Sequence, residues 1–329
     1  MVWIEFILSA GLIVVAAIQL AKYGDVIAVR TGLGGMFIGV VLMAGATSLP
    51  EVLTTISAVW QGAPNLAAGN LLGSNMFNML LLALLDLVHQ NERILRKAAV
   101  KHALSGSSAV LLITMVIFFL LDELTWQVGW VGVDSILLML AYLAMVYFIQ
   151  DEQSARPAPE VEISLPAKFP PLWQGLLGFG LAAAALVILT PWMVNSSNRI
   201  AEITGLGTTF IGTTLVAVVT SLPELVTTIA AAKLGADDMA IGNLFGSNLF
   251  NMFAFGLTDL FYTEGRFFAV VDPAFLLVSV LGLLMTVMAL VGNLARFKRR
   301  LFFIEMDALA LVLVYLGGMW LLYLRGAGF

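Results

Sequence analysis

Two short runs carry most of the chemistry in this sequence: Thr47-Ser48-Leu49-Pro50-Glu51 and Thr220-Ser221-Leu222-Pro223-Glu224. Each places a carboxylate directly after a proline, with two hydroxyls just upstream, inside an otherwise apolar stretch. Proline removes a backbone donor and disfavours helix for the residue before it. Each run therefore predicts a broken helix whose second half opens at the proline, with the glutamate in its first turn near the positive end of the dipole. The same break predicts freed carbonyls just upstream, at Ala44 and Ala217. A Ser-x-x-Glu spacing also fits a capping box, in which serine and glutamate do no more than close a helix end. Two further runs, Gly73-Ser74-Asn75-Met76-Phe77-Asn78 and Gly246-Ser247-Asn248-Leu249-Phe250-Asn251, add neutral donors. Ser74 and Asn78 are four residues apart and share one helix face, as do Ser247 and Asn251. Asn75 and Asn248 point elsewhere and fit hydrogen bonding between helices. Gly69 and Gly73, like Gly242 and Gly246, have the spacing that lets helices approach closely.

Taken together these residues offer two carboxylates, several hydroxyls, two amide oxygens and backbone carbonyls. No histidine, cysteine or methionine is among them. Such an all-oxygen set suits hard cations. Ca²⁺ accepts about 6–8 oxygens in loose geometry, and two glutamates balance its charge. The same oxygens could hold several Na⁺ ions, or the carboxylates could take protons. Occupancy by Ca²⁺ or by a monovalent cation, but not both, is what an antiporter requires.

The elements that must position these residues lie in a membrane. Of 329 residues, 60% are apolar and 11% are charged, and a soluble fold could not hide that much apolar surface. A spanning helix needs about 20 apolar residues. Ten spans are expected, near 3–24, 33–60, 65–88, 99–121, 126–149, 173–197, 206–233, 238–262, 268–294 and 302–324. The first has no basic n-region and runs too long for a signal peptide. Thirteen of the 16 Lys and Arg fall in alternate loops, so the positive-inside rule puts those loops in the cytoplasm and both termini outside the cell membrane. The Pro-rich, acidic stretch 151–172 reads as a cytoplasmic linker between residues 1–150 and 173–329. Asp86 and Asp259 read as anchors at the ends of spans 3 and 8. With no cysteine and two histidines, thiolate sites, disulfides and multi-histidine metal sites are excluded. The net charge of −5 makes nucleic acid a poor partner. There is no P-loop to drive a primary pump, and no nucleophile–base pair for an enzyme. A cation channel would share the oxygen-lined pocket but would need no counter-ion. No cofactor and no obligatory protein partner are expected; the lipid bilayer and the transported ions are.

Residues 32–79 and 205–252 align without a gap at a constant offset of 173, with 29 identities in 48 positions. Each expected half has five spans, an odd number, so its copies cross the membrane in opposite senses. Inverted repeats of this kind build secondary transporters with a midplane site between the halves. The fold class expected is an all-α polytopic membrane protein of ten transmembrane helices in two inverted repeats of five.

At the duplicated T-S-L-P-E and G-S-N-x-F-N blocks the sequence resembles the sodium/calcium exchanger family of calcium:cation antiporters, and its two repeats resemble that family's α-repeats. The resemblance implies Na⁺/Ca²⁺ exchange. It implies Glu51 and Glu224 as central Ca²⁺ ligands, with Thr47, Ser48, Thr220 and Ser221 lining the central and flanking sites. It further implies that Ser74 and Ser247, with the carbonyls of Ala44 and Ala217, form Na⁺ sites, and that Asn78 and Asn251 complete the centre. Sodium-coupled relatives often carry aspartate where this chain has Asn251, so the centre here has two carboxylates in place of three. Coupling to H⁺ or K⁺, or transport of another divalent cation, stays open as the alternative.

Overall fold

The computed structural model describes residues 1–31, 45–88, 102–122, 124–154, 170–233, 237–295, 300–301 and 304–326. The first part of the expected span 33–60, with Ala44, lies outside the described residues, as do most of the basic loop near 89–101 and most of the linker. The described chain is helical almost throughout. Its elements in order are α1 (Val2–Thr31), α2 (Leu49–Trp60), α3 (Pro64–Val88), α4 (Ala103–Asp122), α5 (Val133–Ser154), α6 (Leu172–Thr204) and α7 (Gly207–Ile211). A π-helical turn at Gly212–Val216 leads into α8 (Ala217–Thr220) and α9 (Leu222–Lys233), followed by α10 (Asp237–Phe261), α11 (Phe267–Val270), α12 (Phe275–Ala295) and α13 (Met306–Gly326).

Seven of these helices are long and apolar enough to cross a membrane, or eight if the bent stretch from Gly207 to Lys233 is one span, among the described residues. Two expected spans fall outside that set for evident reasons. α2 is 12 residues long, and α10 carries Asp237, Asp238, Asp259 and the polar motif.

Burial separates the helices into an inner and an outer class. The apolar window of α3 is 89% buried, whereas those of α5, α6 and α13 are 28% buried. The outer helices turn leucine, isoleucine and tryptophan outward, including Leu140, Leu181, Ile188, Trp192, Leu316 and Trp320. In water such a surface would be an aggregation site; in lipid it is the favourable exterior. The inner helices hide their polar residues: Asn70, Ser74, Asn78, Ser247 and Asn251 are inaccessible. α3 packs against the π-helical turn, α10, α12 and α13, and α10 packs against α2, α4, α5 and α9. α1 and α6 lie along one another at the periphery. They are joined by the Arg199–Glu5 ion pair (3.0 Å) at one point and by Arg30 Nε donating to the Pro170 carbonyl (2.8 Å) at another.

Three expected spans have different beginnings. Residues 126–132 do not start a helix: Gln127–Val128 pairs antiparallel with Val131–Gly132. Gly129 turns this hairpin with φ +68°, a conformation open to glycine, and the flanking valines favour strand. A second short pair, Arg300–Leu301 with Ile304–Glu305, precedes α13. The span expected at 268–294 is interrupted, because Asp272-Pro273 separates α11 from α12 and Asp272 caps the Ala274 amide at 2.7 Å.

Candidate cation site

The duplicated T-S-L-P-E runs fold alike. Ser48 has φ −87°, ψ 6° and Ser221 has φ −90°, ψ 6°, so each serine forms the same step out of regular helix. Beyond Ser221 the chain bends by 40°. Pro50 and Pro223 occupy the second positions of α2 and α9, with Glu51 and Glu224 third. The break predicted by proline is present, but it is gentle. Ala217 O keeps the amide of Ser221 (3.1 Å) and also receives the hydroxyls of Thr220 (3.3 Å) and Ser74 (3.5 Å). The expectation of a freed carbonyl at Ala217 is corrected accordingly. The irregularity is spread upstream into the π-helical turn, a feature frequent at functional sites.

The serines do not cap their own helices. Ser48 makes no side-chain cap bond. Its hydroxyl donates across to Glu224 Oε1 at 3.0 Å, and the Ser221 hydroxyl donates to Glu51 Oε1 at 3.1 Å. The capping-box reading is thus replaced by a reciprocal exchange, in which each repeat holds the other's carboxylate. Thr47 also hydrogen-bonds Glu224, and Ser247 Oγ lies 3.5 Å from Glu224 Oε1. Both glutamates have no accessible surface.

α3 and α10 present the amides. Asn78 Nδ2 donates to Asn248 Oδ1 (2.9 Å), and Asn251 Nδ2 donates to Asn75 Oδ1 (3.1 Å). Asn248 Nδ2 also reaches the Asn75 carbonyl (3.3 Å). Asn75 therefore serves as an interhelical acceptor and Asn248 as both acceptor and donor, and they fix which way the Asn78 and Asn251 amides face. The nitrogens are taken, and the oxygens are left.

Among the buried oxygens that receive no hydrogen bond are four on the motif residues: Glu51 Oε2, Glu224 Oε2, Asn78 Oδ1 and Asn251 Oδ1. They form two pairs related by the repeat. A buried acceptor without a donor costs about 1–3 kcal/mol, and more when it is charged. A cation is the partner that would satisfy such a set, and its two carboxylates match one divalent charge. No cluster of three or more His, Cys, Asp or Glu residues occurs among the described residues, so a cation here would draw on neutral oxygens beside the glutamates.

Close packing brings these groups together. A side-chain carbon added at Gly69 would meet the Thr213 amide nitrogen at 2.8 Å, and one at Gly73 would collide with the backbone of Thr213. The face of α3 that carries Ser74 is thereby pressed directly on the π-helical turn. Gly242 faces the ring of His102, at 3.0 Å for an added carbon.

Two features were not singled out from sequence, whereas Asp259, which lies beside the second, is the anchor expected at the end of span 8. Asn70 and Asn243, one turn before the serines, bond to the first two turns of α2 and the second turn of α9 respectively. Asp134 and Arg266 form an ion pair, with Asp134 fully buried. Beside them Asp259 accepts the amides of Gly132 (2.7 Å) and Phe267, which ties the hairpin and α11 to the end of α10. The repetition of Asn70 at Asn243 was the available signal for the first pair; no local pattern marks the Asp134–Arg266 pair.

Comparison with known proteins agrees with this architecture. A family model described as sodium/calcium exchanger protein matches residues 1–150 and 174–324. CaxA of Alkalimonas amylolytica is 30% identical over 305 residues, covering 90% of this chain and 91% of its own. The sodium/calcium exchanger MaX1 of Methanosarcina acetivorans is 28% identical over 280 residues, covering 73% of this chain and 77% of its own. The crystal structure of the H⁺/Ca²⁺ exchanger CAX superposes with a TM-score of 0.73 at 13% identity, over 99% of this chain and 85% of that one, a likeness of fold. The chain is a membrane protein that belongs to the sodium/calcium exchanger family.

Proposed function

We propose that the chain is a secondary antiporter that exchanges Na⁺ for Ca²⁺ at one all-oxygen site between two inverted five-span halves, 1–150 and 173–329. The observation that carries this reading is the set of four unmet, fully buried acceptor oxygens on Glu51, Glu224, Asn78 and Asn251. In it, Glu51 and Glu224 bind Ca²⁺ with Thr47 and Thr220, while Asn78 and Asn251 add amide oxygens. Ser48 and Ser221 orient the carboxylates. Ser74 and Ser247, with the carbonyl of Ala44, supply the neutral oxygens that Na⁺ uses. MaX1, named a sodium/calcium exchanger, supports the choice of Na⁺.

With no cation bound, two carboxylates would repel one another in a low dielectric, which disfavours return of the site without cargo. α1 and α6, packed together and carrying none of the motif groups, would slide as one gate against the inner helices. Each net charge moved is worth about 2.3 kcal/mol per 100 mV. The protein would sit in the cell membrane with both termini outside and its basic loops in the cytoplasm.

One observation favours a second reading. With Asn at both 78 and 251, the site has two titratable ligands, so two protons would discharge it as fully as one Ca²⁺ ion. H⁺ coupling follows from that balance; the neutral hydroxyls would then have no ion to bind. The test is Ca²⁺ uptake into proteoliposomes carrying an outward Na⁺, K⁺ or proton gradient. Uptake driven by internal Na⁺ alone is expected. Uptake driven by a pH gradient and indifferent to Na⁺ would overturn the sodium reading and leave the proton exchanger.

A further inference from the structure

The two repeats have the same residues around each glutamate, yet they hold them in two different hydrogen-bond arrangements. In the first repeat Asn70 Nδ2 donates to the Glu51 carbonyl (3.0 Å) and to Thr55 Oγ1 (2.9 Å). Its Oδ1 accepts from Thr220 of the other repeat (2.8 Å). One buried amide thus ties the backbone of one glutamate to the threonine of the opposite half. The hydroxyl of Thr54 is buried and makes no hydrogen bond.

In the second repeat the parts are used differently. Asn243 Nδ2 donates to Thr227 Oγ1 (3.0 Å) and Thr228 Oγ1 (3.3 Å). It is the Thr227 hydroxyl, not the amide, that reaches the Glu224 carbonyl (3.1 Å), shared with the Pro223 carbonyl (2.9 Å). Asn243 Oδ1 accepts no hydrogen bond. At the offset of 173, Asn70 matches Asn243, Thr54 matches Thr227, Thr55 matches Thr228 and Thr220 matches Thr47. The difference is therefore conformational: either arrangement is chemically open to either half. Each leaves one buried polar atom unmet, Thr54 Oγ1 in one and Asn243 Oδ1 in the other, so the two are comparable in satisfaction.

We propose that Asn70 and Asn243 are reciprocal latches, positioning residues that alternately clamp the glutamate helix of their own repeat to the opposite half. The inference rests on the antiporter reading above. In the structure Asn70 is engaged and Asn243 is withdrawn onto its threonines. In the opposite-facing state Asn243 takes the Glu224 carbonyl and Thr47, and Asn70 withdraws to Thr54 and Thr55. Two states of an inverted repeat exchange by swapping the conformations of the halves, and a switch that is engaged on one side at a time biases that exchange without touching the ion.

The experiment is Ca²⁺ uptake by membrane vesicles of both orientations carrying Asn70→Ala, Asn243→Ala or both. The readout is the ratio of the half-saturating Ca²⁺ concentrations at the two faces. Each single variant removes a latch from one facing state, so the ratios should move in opposite senses, each by about tenfold, the effect of an ordinary hydrogen bond. The double variant should return to within about threefold of the wild-type ratio. Shifts in the same sense, or a double variant that compounds the losses of the two singles, would overturn the latch and leave two packing residues. If an alanine variant is not recovered as a folded protein, Thr54→Val and Thr227→Val each remove the acceptor that the amide of the same repeat uses only when withdrawn, and each should shift the ratio in the sense opposite to the asparagine variant of its own repeat. Absence of Ca²⁺ exchange in the wild type would overturn the antiporter reading itself, whereas an active wild type with same-sense shifts would overturn the latch alone.

Discussion

Each glutamate has one oxygen held by the opposite repeat and one that no protein group satisfies. Removing the held contact should therefore act through the partner repeat. Ser48→Ala should weaken Ca²⁺ binding by about 1–3 kcal/mol through Glu224, with Ser221→Ala doing the same through Glu51. Calcium titration calorimetry on both variants checks this, and a change confined to one of them would argue against reciprocity. The sequence made these residues legible because proline, glutamate and hydroxyls are conspicuous in an apolar chain and because they occur twice. It did not show to which glutamate each serine belongs. A Ser-x-x-Glu spacing describes a local cap as well as a cross-repeat bond, and only the meeting of the two broken segments in the fold distinguishes the two. The amide orientations of Asn78 and Asn251 were likewise beyond sequence, because they depend on Asn248 and Asn75 across the helix interface.

Among the elements, the contact between α3 and the π-helical turn is the tightest constraint on the site. Gly73→Ala would force its new carbon into the Thr213 backbone. Backbone cannot yield as a flexible side chain does, so a loss of about 1–3 kcal/mol is expected, read as a lower unfolding temperature and a weaker response to Ca²⁺. Gly11, with open space around it, should accept alanine without such a loss. Away from the site, Asp134→Asn would leave the Arg266 guanidinium largely buried without its partner, at about 3–5 kcal/mol; thermal unfolding in detergent measures that directly. Helix placement was legible from apolar runs, but helix beginnings were not. Residues 126–132 run directly into an apolar span yet form a hairpin, since valine and tryptophan on either side of glycine fit a strand as well as a helix. Pro273 marked the break between α11 and α12, but the apolar run on either side concealed it.

For the whole molecule, the duplicated sequence and the reciprocal bonds describe one site shared by two halves, and neither half should bind alone. Burying two carboxylates against each other is unfavourable unless a cation joins them, so cation binding and the closeness of the halves should stabilise each other. Isothermal titration of Ca²⁺ into purified wild type, Glu51→Gln and Glu224→Gln tests this central claim most directly. A single class of Ca²⁺ site is predicted in the wild type, weakened roughly 100-fold or more in each variant, as loss of about 3 kcal/mol from either carboxylate would produce. Retention of near wild-type affinity in either variant would contradict a shared site, and would place Ca²⁺ binding on one half or on other residues.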